Sequence, residues 1–248
     1  GLMSTTGEPD GQPMRAGASV IDMTTGLYAA LGALTALLER EVSGKGQWVQ
    51  TSLLHAGIAL MDYQAARYLI DGEIPGRVGN DHPTSMPTST YATADGHLNI
   101  GVGGDVQWRA RCKAFGQPEL ALRPEFLADK NRAENRALLN QILGRIFATQ
   151  STAKWVELLD EADVPNGPIY TMDQVFADPQ VGFESIAEGV EHSRRGPIRL
   201  ISQVAKLSRT PGRIASTLED KGDSTQRVLL DAGFSVEEID RLVADHAV

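Results

Sequence analysis

Residues 17–47, GASVIDMTTGLYAALGALTALLEREVSGKGQ, decide how the rest of the chain is read: an apolar lead-in, a single carboxylate at Asp22 and a long helical pattern. Leu27, Leu31, Leu34, Leu37, Leu38 and Val42 recur at helical spacing, which lays a broad apolar stripe along one side of a helix. Thr24 or Thr25 is the expected cap, accepting a hydrogen bond from a first-turn N–H, and Gly44 offers a left-handed exit. Asp22 is thereby placed just ahead of a helix start, where free N–H groups and the positive end of the dipole favour negative charge and oxygen-rich ligands. Taken alone, Asp22 reads equally as a cap-region carboxylate that closes a loop.

The chain around this helix has 248 residues, 42% of them hydrophobic, enough for one large domain or two small ones. No window approaches the unbroken apolar run of about 20 residues that crosses a bilayer, so no membrane contact is expected. The first residues lack a charged region followed by an apolar one, so no secretion signal is expected either. Cys112 is the only cysteine and cannot form an internal disulfide, which fits a reducing cytoplasm. With no His or cationic cluster beside it, it reads as a small inert residue. A formal charge of −9 argues against nucleic acid, whose phosphates need clustered Lys and Arg. His55, His97, His192 and His246 show no metal spacing, so no metal site is expected.

Outward from the helix, residues 1–17 are punctuated by Gly7, Pro9, Asp10, Gly11 and Pro13 and read as turn and loop. Trp48 to Leu54 reads as a strand, and Ala56 to Ile70 as a helix apolar around most of its girth. Residues 71–90 have the Gly, Pro, Asp and Asn content of a boundary. Thr90–Thr93 and His97–Val102 flank Asp95-Gly96 and predict a β-hairpin, because Asp-Gly suits the primed turns. Helices are predicted over Asp105–Phe115, capped by its Asp, over Glu134–Thr149 and over Ser151–Ala162. Val164–Tyr170 reads as a short strand, and Thr171 to Gln174 as a capping box before a short helix that Pro179 ends. Residues 181–224 read as a linker with irregular strands. The tail reads as a helix from Thr225, a stop at Gly233, and a last helix with a Ser235 and Glu238 capping box.

The run from GLMSTTGEPDGQPMRAG through D-x-x-TG at Asp22 to SGKGQ and SLL-x-A resembles the central block of the family III coenzyme A transferases, which include formyl-CoA and carnitine CoA-transferases. GNDHP at residues 79–83, ADG at 94–96, VPNGP at 164–168 and LLDAGFSVEEIDRL at 229–242 extend the resemblance over essentially the whole chain. It implies an α/β fold: a remnant of a Rossmann-like large domain plus an inserted small α+β domain, joined by long linkers. Residues 1–55 and 185–248 would be large-domain segments, 56–80 and 171–184 linkers, and 81–170 the small α+β domain. In the family a nucleotide-binding-like half precedes the point where this chain starts, so the expectation is a fragment or a site completed by another chain. An interlocked homodimer is the oligomer that the resemblance implies.

The same resemblance implies that Asp22 is the catalytic nucleophile. It would pass through an aspartyl-acyl anhydride and an aspartyl-CoA thioester while coenzyme A moves from an acyl-CoA to a free carboxylic acid. A carboxylate is ionised at neutral pH and can attack a thioester, and splitting acyl exchange into such steps is covalent catalysis. Coenzyme A and acyl-CoA are then substrates, and no permanently bound cofactor is expected. Asn80 and His82 are candidate substrate-binding residues, with a tight-turn Asn and an ordinary His before Pro83 as the plain alternative. The consecutive glycines of formyl-CoA transferases are missing from GNDHPTSMP; Gly101, Gly103 and Gly104 lie further on, so formyl or oxalate specificity is not expected. If the chain contacts the coenzyme A phosphates, Arg194, Arg195 and Arg199 form a local basic patch, which also reads as a solvated loop. A 2-methylacyl-CoA racemase-like enzyme and a non-catalytic acyl-CoA-binding chain are the alternatives.

Overall fold

The computed structural model describes residues 1–83, 85–101, 104–192, 194–217 and 220–248. Helices and sheets mix, as expected, and the chain divides into two compact units, Gly1–Ile169 and Tyr170–Val248.

The first unit opens with a short helix, α1 (Leu2–Thr5), where a loop was expected; the Thr5 and Thr6 hydroxyls donate to the Leu2 carbonyl at 3.0 and 2.8 Å. Helix α2 (Val20–Ser43) follows and ends at Gly44 with φ 69°, the expected left-handed exit. Its start corrects the sequence reading. Ser19 is the cap position, and Thr24 and Thr25 lie inside the helix, their hydroxyls donating to the Val20 and Ile21 carbonyls at 2.7 Å each. A threonine can turn its hydroxyl back onto the preceding turn as readily as it can cap.

The apolar stripe of α2 is left uncovered: Leu27 is 70% exposed, Leu38 72% and Val42 91%. By length and composition α2 is long and apolar enough to cross a membrane. The expectation concerned an unbroken apolar run, and α2 is not one, since Asp22, Thr24, Thr25 and Thr35 interrupt it. Its leucines and alanines raise the mean hydropathy, while glycines and threonines interrupt the run.

Trp48 to Leu54 is not a strand. Residues 44–52 pair with no strand among the described residues, and Ser52 instead caps α3 (Leu53–Ala59) by accepting from the His55 N–H at 3.1 Å. The segment lies against α2: a Cβ at Gly32 would sit 2.8 Å from Val49 Cγ1, so the glycine permits the approach. The helix expected over Ala56–Ile70 is broken in two, with α4 running Asp62–Asp71 and Asp62 at φ 42° at the joint.

The hairpin forms where expected, but not through a primed Asp-Gly turn: residues 93–96 separate the strands, the Thr93 N–H donates to the Gly96 carbonyl at 2.9 Å, and neither Asp95 nor Gly96 has a positive φ. Strands β1 (Ser89–Ala92) and β2 (His97–Ile100) pair antiparallel with Ala92 opposite His97; Val102, the expected end of the second strand, lies outside the described residues. Helices α5 (Asp105–Ala114), α6 (Asp129–Glu134), α7 (Arg136–Phe147) and α8 (Thr152–Glu161) follow. The cap of α5 is Gly104, one residue before the expected Asp105, while Ser151 caps α8 as its side chain accepts from the Lys154 N–H at 3.3 Å. Strand β3 (Asn166–Pro168) joins the sheet antiparallel to β2.

The hydrophobic core of this unit lies between residues 86 and 164. Phe147 is its centre, with the Tyr91, Phe115 and Trp155 rings at 5.0, 5.3 and 5.0 Å. Arg132 is buried within it. Its guanidinium donates to the Met86 and Phe126 carbonyls at 2.8 and 3.2 Å and to Asp105 and Asp129 at 2.9 and 3.1 Å, and lies 5.2 Å from the Trp108 ring centre.

The second unit begins with α9 (Met172–Ala177), where Gln174 Oε1 accepts from the Thr171 N–H at 2.9 Å as the capping box predicts. Pro179 starts the next helix, α10 (Pro179–Phe183), rather than only ending the previous one, because a first helical residue needs no N–H. The irregular strands become one hairpin, β4 (Ala187–His192) and β5 (Gly196–Ile201). Helices α11 (Thr225–Asp231) and α12 (Val236–Ala244) close the chain; Ser235 Oγ accepts from the Glu238 N–H at 3.2 Å and Glu238 Oε2 from the Ser235 N–H at 2.8 Å.

Two outcomes follow from this packing. Phe147→Ala, at a fully buried ring, should destabilise the first unit by about 3–5 kcal/mol, read by denaturant unfolding. Burial pushes the Cys112 thiol up to about 12, so it should stay silent to a disulfide reagent at pH 8 until the chain unfolds; rapid labelling of the folded chain would contradict that.

Candidate functional site

The start of α2 is positioned by the loop before it. Gly7 holds φ 119°, where a Cβ would meet Met14 Cγ at 3.0 Å and the Gln12 carbonyl at 3.1 Å, and the Met14 N–H donates to the Thr6 carbonyl at 3.0 Å. Arg77 clamps this loop from the far side of the sequence, donating to the backbone carbonyls of Glu8 at 3.2 Å and Gly11 at 2.8 Å. The Gly79 N–H adds a bond to the Gly7 carbonyl at 3.0 Å. From this anchored loop the chain runs through Arg15 into Ser19 and the helix.

Asp22 is the third residue of α2 rather than a residue ahead of it. The correction keeps the electrostatic argument: Asp22 sits in the first turn, beside N–H groups without intrahelical acceptors and at the positive dipole end. Its side chain is exposed and lines an open cleft of about 570 Å³ with Leu2, Met3, Arg15, Gly17 and Ser19. Arg15 makes no ion pair among the described residues. A carboxylate and a guanidinium lining the same cleft can present a nucleophile to an anionic ligand while the cation meets that ligand's charge. Arg15 stands in the run GLMSTTGEPDGQPMRAG that carries part of the family resemblance, but had no periodicity or partner to mark it.

Asn80 and His82 do not line this cleft. Asn80 is exposed in a turn. His82 stacks on Tyr63 at 5.5 Å, its Nδ1 accepts from the Ser85 N–H at 3.1 Å, and its carbonyl accepts from Arg136 at 2.8 Å. The neighbouring Asp81 accepts from Asn140 Nδ2 at 2.8 Å and pairs with Arg136 at 3.4 Å. Asn140 in turn accepts from the Tyr91 hydroxyl at 2.7 Å, and burial, reinforced by Asp81, holds that phenol above its ordinary range and so protonated. The GNDHP stretch is thus the point where the boundary loop is fastened to β1 and α7; Thr84 and Gly103 lie outside the described residues. In the second unit the basic patch is dispersed: Arg194 pairs with Asp220 at 2.7 Å, and Arg199 lies over the Phe176 ring at 5.9 Å.

Fold and cleft together define a mixed helix-and-sheet protein that presents a helix-terminal carboxylate to an open, partly cationic cleft. Residues 1–218 match the sequence model of CoA-transferase family III. The chain is 34% identical over 209 residues to human succinyl-CoA:glutarate CoA-transferase, covering 84% of this chain and 48% of that protein. It is 33% identical over 250 residues to the succinyl-CoA–D-citramalate CoA-transferase of Chloroflexus aurantiacus, covering 100% of this chain and 62% of that one. A CAIB/BAIF family protein from Brucella suis has a similar structure, with TM-score 0.75 at 30% identity, over 93% of this chain and 60% of that one. The chain belongs to CoA-transferase family III. It spans 48% and 62% of the length of the two enzymes named.

Because Asp22 is exposed and touches no core, Asp22→Asn should change unfolding free energy by less than about 1 kcal/mol, the size of a first-turn dipole interaction. A larger loss in thermal or denaturant unfolding would assign Asp22 a structural role instead.

Proposed function

We propose that this chain carries the nucleophile of an acyl-CoA:carboxylate CoA-transferase, and that the nucleophile is Asp22. The observation that carries the reading is the exposed carboxylate in the first turn of a 24-residue helix, lining the same cleft as Arg15. Family membership and the names of the relatives support the reaction class.

In this reading an Asp22 oxygen attacks the acyl-CoA carbonyl, the C–S bond breaks, and a mixed anhydride forms as the CoA thiolate leaves. The thiolate then attacks the Asp22 carbonyl, releasing the donor acid as carboxylate and leaving an Asp22–CoA thioester. The acceptor carboxylate attacks that thioester to form a second anhydride and free the thiolate. Attack of the thiolate on the acceptor's acyl carbon yields the new acyl-CoA and returns Asp22 as carboxylate. No net proton is needed. First-turn N–H groups of α2 are suitably charged for the developing oxyanion, and water must be excluded because anhydrides hydrolyse.

The relatives are named for succinyl-CoA with glutarate or citramalate, which supports short dicarboxylic acids as the substrate class, and Arg15 is the cation on the cleft wall suited to an anionic acid. The uncovered stripe of α2 reads as a contact face for protein, here a second copy of the chain in a homodimer. It leads directly from a residue that must meet water-soluble substrates. A cytoplasmic setting belongs to the same reading, since acyl-CoA pools and a lone thiol both fit it.

The test is intact-mass analysis of the full-length protein after incubation with succinyl-CoA and trapping with hydroxylamine. A modification mapped to Asp22, absent in Asp22→Ala together with at least a thousandfold loss of transfer, is expected. Turnover retained in Asp22→Ala would overturn the assignment.

A further inference from the structure

The loop before α2 is tied down unevenly. Arg77 makes no ion pair among the described residues. Its guanidinium is given instead to the turn at residues 8–11, where Nε donates to the Glu8 carbonyl at 3.2 Å and Nη2 to the Gly11 and Pro9 carbonyls at 2.8 and 3.5 Å. The Gly11 N–H closes the same turn onto the Glu8 carbonyl at 3.0 Å, and the Met14 and Gly79 N–H groups tie its flanks to the Thr6 and Gly7 carbonyls at 3.0 Å each. A planar fork with several donors holds converging carbonyls at fixed angles, which a single ammonium does not.

Past Met14 the tethers stop. Residues 15–18 are exposed, and among the described residues their one hydrogen bond is that of the Val20 N–H to the Ala18 carbonyl at 2.9 Å. Arg15 directly follows the last tethered residue, so the place of its guanidinium in the cleft depends on the turn that Arg77 holds. Asp22 is fixed differently. The Met23 N–H bonds the Ser19 carbonyl at 3.0 Å as the helix begins, and Ile21 packs on α3, where a Cβ at Gly57 would stand 3.4 Å from Ile21 Cδ1. Releasing the turn therefore moves the cation and leaves the carboxylate in place.

We propose that Arg77 is a positioning residue of the transfer site: through the 8–11 turn it places Arg15, and so governs how tightly the dicarboxylic acid is held rather than the acyl transfer at Asp22. The inference rests on the reading of Asp22 and Arg15 proposed above. An interaction that holds ground state and transition state alike shows in KM, and one made only in the transition state shows in kcat, so the two roles separate in one experiment.

The full-length protein is assayed for transfer from saturating succinyl-CoA to glutarate. Arg77→Met, which keeps the side chain's length and removes its donors, should raise the KM for glutarate on the order of tenfold, the scale of misplacing one binding group, with a much smaller change in kcat. Arg77→Lys, with donors but no fork, should fall between wild type and Arg77→Met. Arg15→Ala should raise the same KM, and Arg77→Met added to it should bring less than about a twofold further rise, because the group it positions is gone. An unchanged KM in Arg77→Met, a loss confined to kcat as a partly unfolded population gives, or effects of the two substitutions that multiply in full would each overturn the assignment. If Arg77→Met does not fold, Arg77→Gln, which can still donate to a single carbonyl, takes its place under the same criteria. Should wild-type protein transfer nothing to glutarate, the transferase reading fails by itself, and glutarate titrated calorimetrically into wild type, Arg77→Met and Arg15→Ala decides the rest: weaker binding by both variants supports the positioning role, and equal or absent binding refutes it.

Discussion

The packed part of this molecule depends on one buried cation. Arg132 gathers the chain before β1 through the Met86 carbonyl, the turn at Phe126, the first residue of α5 through Asp105 and the first residue of α6 through Asp129. Both aspartates stand in the first turns of their helices, so each serves a helix dipole and a guanidinium at once. The cost of burying the charge is met by hydrogen bonds from all three guanidinium nitrogens and by the Trp108 face. Segments 46 residues apart are thereby fixed around one group, and the aromatic cluster at Phe147 packs beside them.

Chemistry and core are separated along the sequence. The carboxylate proposed as nucleophile sits at the start of α2, which has no buried residue at all, whereas the core is confined to residues 86–164. What connects them within the unit is a short relay. The loop before Asp22 is bonded to Arg77 and Gly79, and two residues further on Asp81 and His82 are held by Asn140 and Arg136 of α7. GNDHP, which the sequence suggested as a ligand-contacting segment, occupies this relay.

Where local chemistry alone decides a structure, it was legible beforehand. Asp95-Gly96 marked the place of the hairpin though not its turn type, and Ser151, Ser235 with Glu238, Gly44 and Gly233 stand at helix ends through their own hydrogen bonds or positive φ. Misreadings arose where two local options are nearly equal or where the partner lies elsewhere. Thr24 and Thr25 could cap or bond backwards, and they bond backwards. Trp48 to Leu54 has the residues of a strand, yet a strand exists only beside another strand. Arg111 and Arg132 were invisible as interior residues because a charged side chain ordinarily predicts surface, and only the assembled core shows otherwise. Asp22 was singled out by family resemblance; its position in the cleft beside Arg15 is a property of the folded loop.

The Arg77 clamp has a consequence for variation among related chains. It grips the loop before Asp22 through the main-chain carbonyls of Glu8 and Gly11, and so ignores which side chains the loop carries. Residues 8–12 are therefore free to drift, provided that Gly7 keeps its positive φ and the loop keeps its length. An insertion or deletion there would shift the carbonyls out of register with the guanidinium. Selection should thus tolerate many letters in this loop and few changes in its count.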